Sequence, residues 1–108
     1  MPGGSPQVQE TPYSFKRPAK LIDQKYLPAS CEPNRGPADA PLFLINHWID
    51  TSPAPKPSNA QQVNAHRPLL DRVHDCERTR DLKASLIAVD FYREGDLFEV
   101  VDELNAER

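Results

Sequence analysis

The sequence predicts an α/β domain built on a parallel β-sheet, and three observations lead to this fold class. Two apolar segments, residues 42–49 and 85–92, alternate with segments that have helical periodicity. A continuous apolar run is typical of a strand that is covered on both faces, and strand–helix alternation is typical of parallel βαβ units. All 12 prolines of the 108 residues lie between Pro2 and Pro68, so regular structure is expected mainly in the later part of the chain.

The N-terminal part, up to about residue 40, is predicted to be a long Pro-rich irregular segment. Proline fixes φ, removes a backbone donor and pushes the preceding residue toward extended geometry. Residues 1–8 are expected to be disordered, whereas residues 9–108 are expected to form one unit. Between residues 10 and 27 six larger apolar or aromatic side chains could dock on the rest of the protein: Tyr13, Phe15, Leu21, Ile22, Tyr26 and Leu27.

The first strand is predicted at residues 42–49, followed by a Pro/Ser loop at residues 52–57. A helix is predicted to begin at Ser58, because Ser58 and Gln61 match a capping box. Pro68 is expected to kink this helix or split it in two. Its apolar face consists of Val63, Leu69, Leu70, Val73 and Cys76, while charged residues such as Asp71 and Arg72 are expected largely on other faces.

The second strand is predicted at residues 85–92, and Arg93-Glu94-Gly95 turns the chain. Asp96 and Glu99 match another capping box. The helix that follows is predicted to end near Asn105. Its apolar positions have the spacing i, i+3, i+4 and i+7 and are Leu97, Val100, Val101 and Leu104.

Composition excludes several classes of protein. The longest apolar run is Leu42-Phe43-Leu44-Ile45, far short of the ~20 residues of a membrane span. The start of the chain has neither the basic nor the apolar region of a secretory signal. A formal net charge of −3 without a basic cluster gives no support for a nucleic-acid partner.

The chain is also short of apolar residues, since 38% are hydrophobic and the mean hydropathy is −0.66. Two strands that are apolar on both faces need more neighbours and more cover than the remaining helices supply. We therefore expect either that the chain is the C-terminal piece of a larger α/β domain, completed by a missing N-terminal half, or that it associates with itself.

Polar side chains follow both predicted strands, where parallel α/β folds gather reactive groups. The first strand ends in Asn46 and His47, which must point to opposite faces. Either could contact substrate, although His47 could equally pack beneath the first helix. The second strand ends in Asp90, a candidate for orienting a catalytic histidine or, alternatively, for capping a neighbouring loop. Tyr92 and Arg93 are candidate contacts for an anionic headgroup.

Two cysteines, Cys31 and Cys76, leave two readings open. If they pair, the bridge would contribute about 3 to 4 kcal/mol and indicate an oxidising compartment. If they do not, Cys76 is a buried thiol and Cys31 is unrelated to it. His66 and His74 are eight residues apart, a poor spacing for ligands on one helix, so no metal site is predicted.

Several motifs together resemble the C-terminal end of the X domain of phosphatidylinositol-specific phospholipase C (PI-PLC) and of related phosphodiesterases, most of all the bacterial, secreted branch. The resemblance covers residues 9–105. Two front motifs are ETPYSF at 10–15 and CEPNRG at 31–36; the later ones are PLFLINHW at 41–48, TSPAP at 51–55, PSNA at 57–60, VNA at 63–65, AVDFY at 88–92 and GDL at 95–97.

This resemblance implies the C-terminal part of a (β/α)8 TIM-type barrel, with its last two strands and helices preceded by the Pro-rich segment. Such a barrel has ~250 residues. In the family two histidines from earlier strands cleave a phosphodiester by acid–base catalysis, and an aspartate supports one of them. Asp90 matches that aspartate, whereas the two histidines and their accompanying arginine have no counterpart in this chain.

The resemblance therefore predicts a fragment of a phosphoric diester hydrolase of lipid metabolism that is inactive alone. Its substrate would be a phospholipid or another phosphodiester. The bacterial type needs no metal; the eukaryotic type uses calcium, for which this chain has no ligand set. The alternative is a non-catalytic binding or interaction module derived from the barrel. Secretion of the parent protein is also implied.

Overall fold

The computed structural model describes residues 7–34, 36–37, 39–51 and 55–107. Of the segment predicted to be disordered, residues 1–6 lie outside this range. The elements, in chain order, are β1 (Val8–Glu10), α1 (Ala19–Ile22), α2 (Leu27–Ser30), β2 (Leu42–His47), α3 (Pro57–Val63), α4 (His66–Arg80), β3 (Leu86–Val89) and α5 (Leu97–Ala106).

The three strands form one parallel sheet in the order β1-β2-β3. Val8 pairs with Leu42 and Glu10 with Leu44, while Leu44 pairs with Leu86 and His47 with Val89. Successive strands are neighbours and each pair is joined by helices, which is the arrangement of βαβ units. The α/β class with a parallel sheet is thus confirmed.

The prediction that the chain is irregular up to residue 40 is wrong for three short elements, β1, α1 and α2. Residues 8–10 form a strand, because Leu42 N donates to Gln7 O and Thr11 N donates to Leu44 O, at 3.0 and 3.2 Å. Three residues without an apolar run give no strand signal, so only their pairing with β2 defines β1. Two prolines also start short helices: Pro18 is the N-cap of α1, and Pro28 lies in the first turn of α2, where a missing N–H costs nothing.

The two predicted capping boxes are not formed. Helix α3 begins at Pro57 after Lys56, and Ser58 lies inside it. Asp96 is the N-cap of α5 but makes no side-chain cap bond to that helix. Its Oδ2 instead accepts from the N–H of His66, the first residue of α4, at 2.9 Å. The Asp96 carboxylate therefore caps the start of α4, which packs beside it, and not the start of α5.

The predicted split of the long helix is confirmed, although Pro68 is not the point of the break. The chain leaves helical geometry at Asn64 and Ala65, and α4 then starts at His66. Pro68 is in the first turn of α4, where the backbone N–H would have no intrahelical partner.

The sheet has one covered face and one open face. On the covered face Phe43 and Ile45 are buried against Leu69, Val73 and Val100 of the helices. Alternation along the strands places Leu42 and Leu86 on the opposite face, where they are 40% and 49% exposed. We call this second face the open face; its other apolar side chains are Val8, Leu44 and Ala88.

A disulfide joins Cys31, directly after α2, to Cys76 of α4, with the two Sγ atoms 2.09 Å apart. Both cysteines are fully buried in the cluster on the covered face. The bond ties the front segment to the longest helix. Within the described residues, no helix has the length and apolar character needed to span a membrane.

Candidate functional site

The carboxyl ends of the three strands meet at one edge of the sheet, because the strands are parallel. Glu10 and Thr11 end β1, Asn46 and His47 end β2, and Asp90 follows β3. This edge carries the candidate functional side chains. Reactive groups of parallel α/β folds commonly lie at this end of the sheet.

Asn46 lies on the open side of the sheet and is held firmly. Its Nδ2 donates to Glu10 Oε1 at 3.1 Å and to Thr11 O at 2.9 Å. Its backbone N–H donates to Thr11 Oγ1 at 3.0 Å. Both hydrogens of the amide are thus engaged, so the amide plane is fixed and the orientation of Asn46 is set by β1.

His47 lies on the covered face and is fully buried. Its Nδ1 is 3.2 Å from a guanidinium nitrogen of Arg72, which can only donate, so Nδ1 accepts. Its Nε2 therefore carries the proton and donates to Val63 O at 2.6 Å. Burial, reinforced by the charge of Arg72, lowers the pKa of His47 to about 3. The structure thus places His47 in the packing position beneath the helices.

Arg72 is the centre of a buried polar network, whereas the sequence predicted it largely outside the apolar face of the helix. It is fully buried and donates to Ser30 O at 2.8 Å and Ser30 Oγ at 3.1 Å. It also donates to Asn46 O and, at 3.4 Å, to Thr11 Oγ1. Burial lowers the pKa of Arg72 to about 9. One side chain thus joins α2, α4 and the ends of β1 and β2.

Asp90 directly follows β3, and the alternation of that strand, continued by one residue, would place it on the side of Leu86 and Ala88. Burial raises the pKa of Asp90, while a hydrogen bond from its own backbone N–H partly opposes that shift. A partly desolvated carboxylate at a strand end is suited to hold or orient a proton-carrying partner.

Tyr92 and Arg93 lie beside each other on the surface beyond Asp90. Arg93 Nε donates to Tyr92 Oη at 3.3 Å, and the guanidinium lies 5.7 Å from the centre of the Tyr92 ring. The Tyr92 ring also meets the Phe98 ring edge to face at 6.1 Å. The strand end therefore presents one exposed cation and exposed aromatic rings near Asp90 in the chain.

The chain has three histidines, and none of them lies on the open face. His47 is on the covered face, and the other two are on α4. The His66 ring contacts Glu103 at 2.9 Å, and the His74 ring contacts Glu107 at 2.9 Å. Asn46, Glu10 and Asp90 can therefore bind and orient, but no imidazole of this chain is positioned beside them for proton transfer.

No group of three or more histidine, cysteine, aspartate or glutamate side chains that could hold a metal ion occurs in the part of the chain that the structure describes. Cys76 belongs to the disulfide.

The family model for the PI-PLC X 1 domain matches residues 5–105 of this chain. The chain belongs to the PI-PLC X family. The match includes all three strands and nearly the whole of the last helix, so the PI-PLC X domain assignment applies to the sheet and its carboxyl edge alike. Searches of curated proteins and of solved structures gave no match.

Within this PI-PLC X chain, sequence reasoning missed Glu10, Thr11, Asn64 and Arg72 as parts of the site. The front motif and the VNA motif contain three of them, yet nothing local indicates their contacts. Arg72 did have a signal, because Leu69, Arg72, Val73 and Cys76 follow the i, i+3, i+4, i+7 spacing of a buried stripe. Its charge concealed that position.

Proposed function

We propose that this PI-PLC X chain is the C-terminal part of a (β/α)8 barrel that, when complete, hydrolyses a phosphodiester of the phospholipid class. Barrel strands follow one another in sequential parallel order, with helices outside and apolar side chains inside. The order β1-β2-β3, the helices on one face and the exposed Leu42 and Leu86 on the other support this reading.

The observation that carries the proposal is the polar carboxyl edge of the open face, where Asn46 is bound to Glu10 and Asp90 follows β3. In this proposal Asp90 orients a histidine that the rest of the barrel supplies. Asn46 contacts the substrate, with His47 supporting it from behind the sheet, and Tyr92 and Arg93 bind an anionic headgroup. Acid–base cleavage requires both proton-transfer groups within hydrogen-bond reach of the phosphodiester, and they come from the missing half.

A second candidate is a binding or interaction module that keeps the barrel surface without catalysis. The placement of all three histidines away from the open face favours it for the isolated chain. In that case the open face would be covered by a copy of the chain rather than by other barrel strands. Neither proposal assigns a role to calcium, which the eukaryotic branch of the family uses.

The test compares the 108-residue chain with the same chain extended upstream, using phosphatidylinositol vesicles and measuring release of the phosphorylated headgroup. We expect activity only in the extended protein. Activity of the 108-residue chain would contradict the hypothesis that the catalytic histidines come from outside it. No activity in a folded extended protein would support the binding module.

Asp90→Asn in the extended protein tests the orienting role. We expect on the order of a 100-fold or larger loss of turnover, because Asn removes the charge that would stabilise an imidazolium. The control is Asp102→Asn on the exposed surface of α5, which should keep full turnover. Equal turnover of the two variants would reject the role of Asp90.

A further inference from the structure

Residues 90–96, which we call the β3 loop, carry Asp90, Tyr92 and Arg93 and are held by the junction between α3 and α4. Asn64 Nδ2 donates to Asp90 O at 3.1 Å, and Asp96 N donates to Asn64 O at 2.8 Å. His66 N donates to Asp96 Oδ2 at 2.9 Å. Asn64 therefore binds both ends of the β3 loop, one with its side chain and one with its backbone.

The contact between Asn64 and Gly95 is unusually close. Gly95 has φ +87°, and a Cβ at this position would lie 2.6 Å from the backbone carbonyl carbon and oxygen of Asn64. Only glycine combines that dihedral angle with so little space. The β3 loop is thus seated directly on Asn64, without a side chain between them.

The conformation of the β3 loop needs such support. Phe91 has φ +45°, in the left-handed region that is unfavourable for a bulky side chain. Strained residues of this kind persist only where surrounding contacts determine the backbone. The bond from Glu94 N to Phe91 O, at 2.8 Å, closes the turn, and the bonds of Asn64 fix its two ends.

The amide of Asn64 is not explained by packing alone. Asn64 is fully buried, and its Oδ1 has no hydrogen-bond partner among the described residues. An unpaired buried acceptor is unfavourable, so an apolar residue of similar size would fit this position better if packing were its only role. What an apolar residue could not supply is the donor to Asp90 O.

We propose that Asn64 is a positioning residue that sets the direction of the Asp90 carboxylate by holding both ends of the β3 loop. This inference rests on the proposed function, in which Asp90 orients a histidine. Asn64 itself is fully buried between the end of α3 and the start of α4. It acts through the backbone of Asp90.

The first experiment uses NMR on the 108-residue chain, with Asn64→Ala as the variant and Asn59→Ala, in the preceding helix α3, as the matched control. The signals are the ¹³C carboxyl titration of Asp90, amide exchange at Asp96 and the side-chain Nε–H of Arg72 as a reporter of the overall fold. Neither substitution adds or removes a charge, and Arg93 and Glu94 of the β3 loop are unchanged.

In Asn64→Ala we expect the Asp90 titration midpoint to move closer to that of an ordinary carboxyl, because the side-chain bond to Asp90 O is lost. Exchange at Asp96 should change little, since its acceptor is the backbone carbonyl of residue 64. The Arg72 signal should stay in place, and Asn59→Ala should change nothing. An unchanged Asp90 signal would overturn the proposal. A joint shift of the Asp90 and Arg72 signals would overturn it as well, because that result indicates a structural role only.

Gly95→Ala provides the second variant, since its Cβ displaces the β3 loop while the amide of Asn64 stays. We expect the same change in the Asp90 titration, and this variant keeps the test available if Asn64→Ala fails to fold. An unmoved Asp90 signal would overturn the proposal. In the extended protein Asn64→Ala should lower kcat on the order of 100-fold with little change in KM. An unchanged kcat would overturn the positioning role.

The two kinds of measurement separate this proposal from the proposed function. If the unmodified extended protein shows no phosphodiesterase activity, the proposed function fails, and the NMR signals of Asp90 still decide whether Asn64 positions the β3 loop.

Discussion

The two faces of the sheet differ in how they are completed. On the covered face Phe43, Ile45 and His47 of β2 are fully buried, with Arg72 and the disulfide beside them. On the open face Leu42 of the same strand is 40% exposed. The same strand therefore has one face that packs in the core and one face whose apolar side chain Leu42 remains partly exposed.

The largest expected effect is on the covered face, from Arg72→Met. This change removes the buried donor to the carbonyl oxygens of Ser30 and Asn46 and to Ser30 Oγ. We expect a loss of about 3 to 5 kcal/mol in the free energy of unfolding, measured by chemical denaturation. The control Arg67→Met removes a side chain that is 75% exposed and should change the stability by less than about 0.5 kcal/mol. Similar stability of the two variants would contradict the central role of Arg72.

The disulfide is expected to have the next largest effect. Reduction, or the double change Cys31→Ser and Cys76→Ser, should lower the free energy of unfolding by about 3 to 4 kcal/mol, because the bridge closes a long loop. Mass spectrometry with and without reductant reports whether the bond forms. Two free thiols in protein made under oxidising conditions would contradict it.

The covered face should also be sensitive to pH through His47. Its pKa is lowered from 6.5 to about 3 in the folded chain, so the unfolded chain binds the additional proton when the pH falls below 6.5. The stabilisation is therefore present above pH 6.5 and is lost between that pH and about 3. From pH 6.5 to 5 we expect a loss of about 2 kcal/mol.

The measurement is the free energy of unfolding as a function of pH for the unmodified chain and for His47→Gln and His74→Gln. The slope between pH 6.5 and 5 should decrease in His47→Gln and remain in His74→Gln. The same slope in all three proteins would show that another group titrates.

The smallest effect is expected on the open face, from a matched pair of leucines. Leu69→Ala opens a cavity in the covered core and should cost about 2 to 5 kcal/mol. Leu86→Ala, at a side chain that is 49% exposed, should change the stability by less than about 0.5 kcal/mol. Equal losses would mean that the open face is already covered in solution, and sedimentation would then identify self-association.

The sequence was informative where one element carried its own pattern. The apolar runs predicted β2 and β3, and helical spacing predicted α4 and α5. It failed for β1, because Val8-Gln9-Glu10 is a strand only through its pairing with β2. It failed also for the capping box at Asp96, since the N–H of His66 comes within reach only when α4 and α5 pack.

For the site, the sequence by itself determined that polar residues follow apolar strands, and hence that Asn46, His47 and Asp90 lie at one edge. Only the tertiary structure decided which face each would take. Alternation along β2 places Asn46 and His47 on opposite faces, and the packing of the helices determines which of the two faces is covered. As a result His47 is buried against Arg72, and the side chain of Asn46 binds Glu10. The sequence did not predict these contacts, because hydrogen bonds between distant segments leave no local pattern in it.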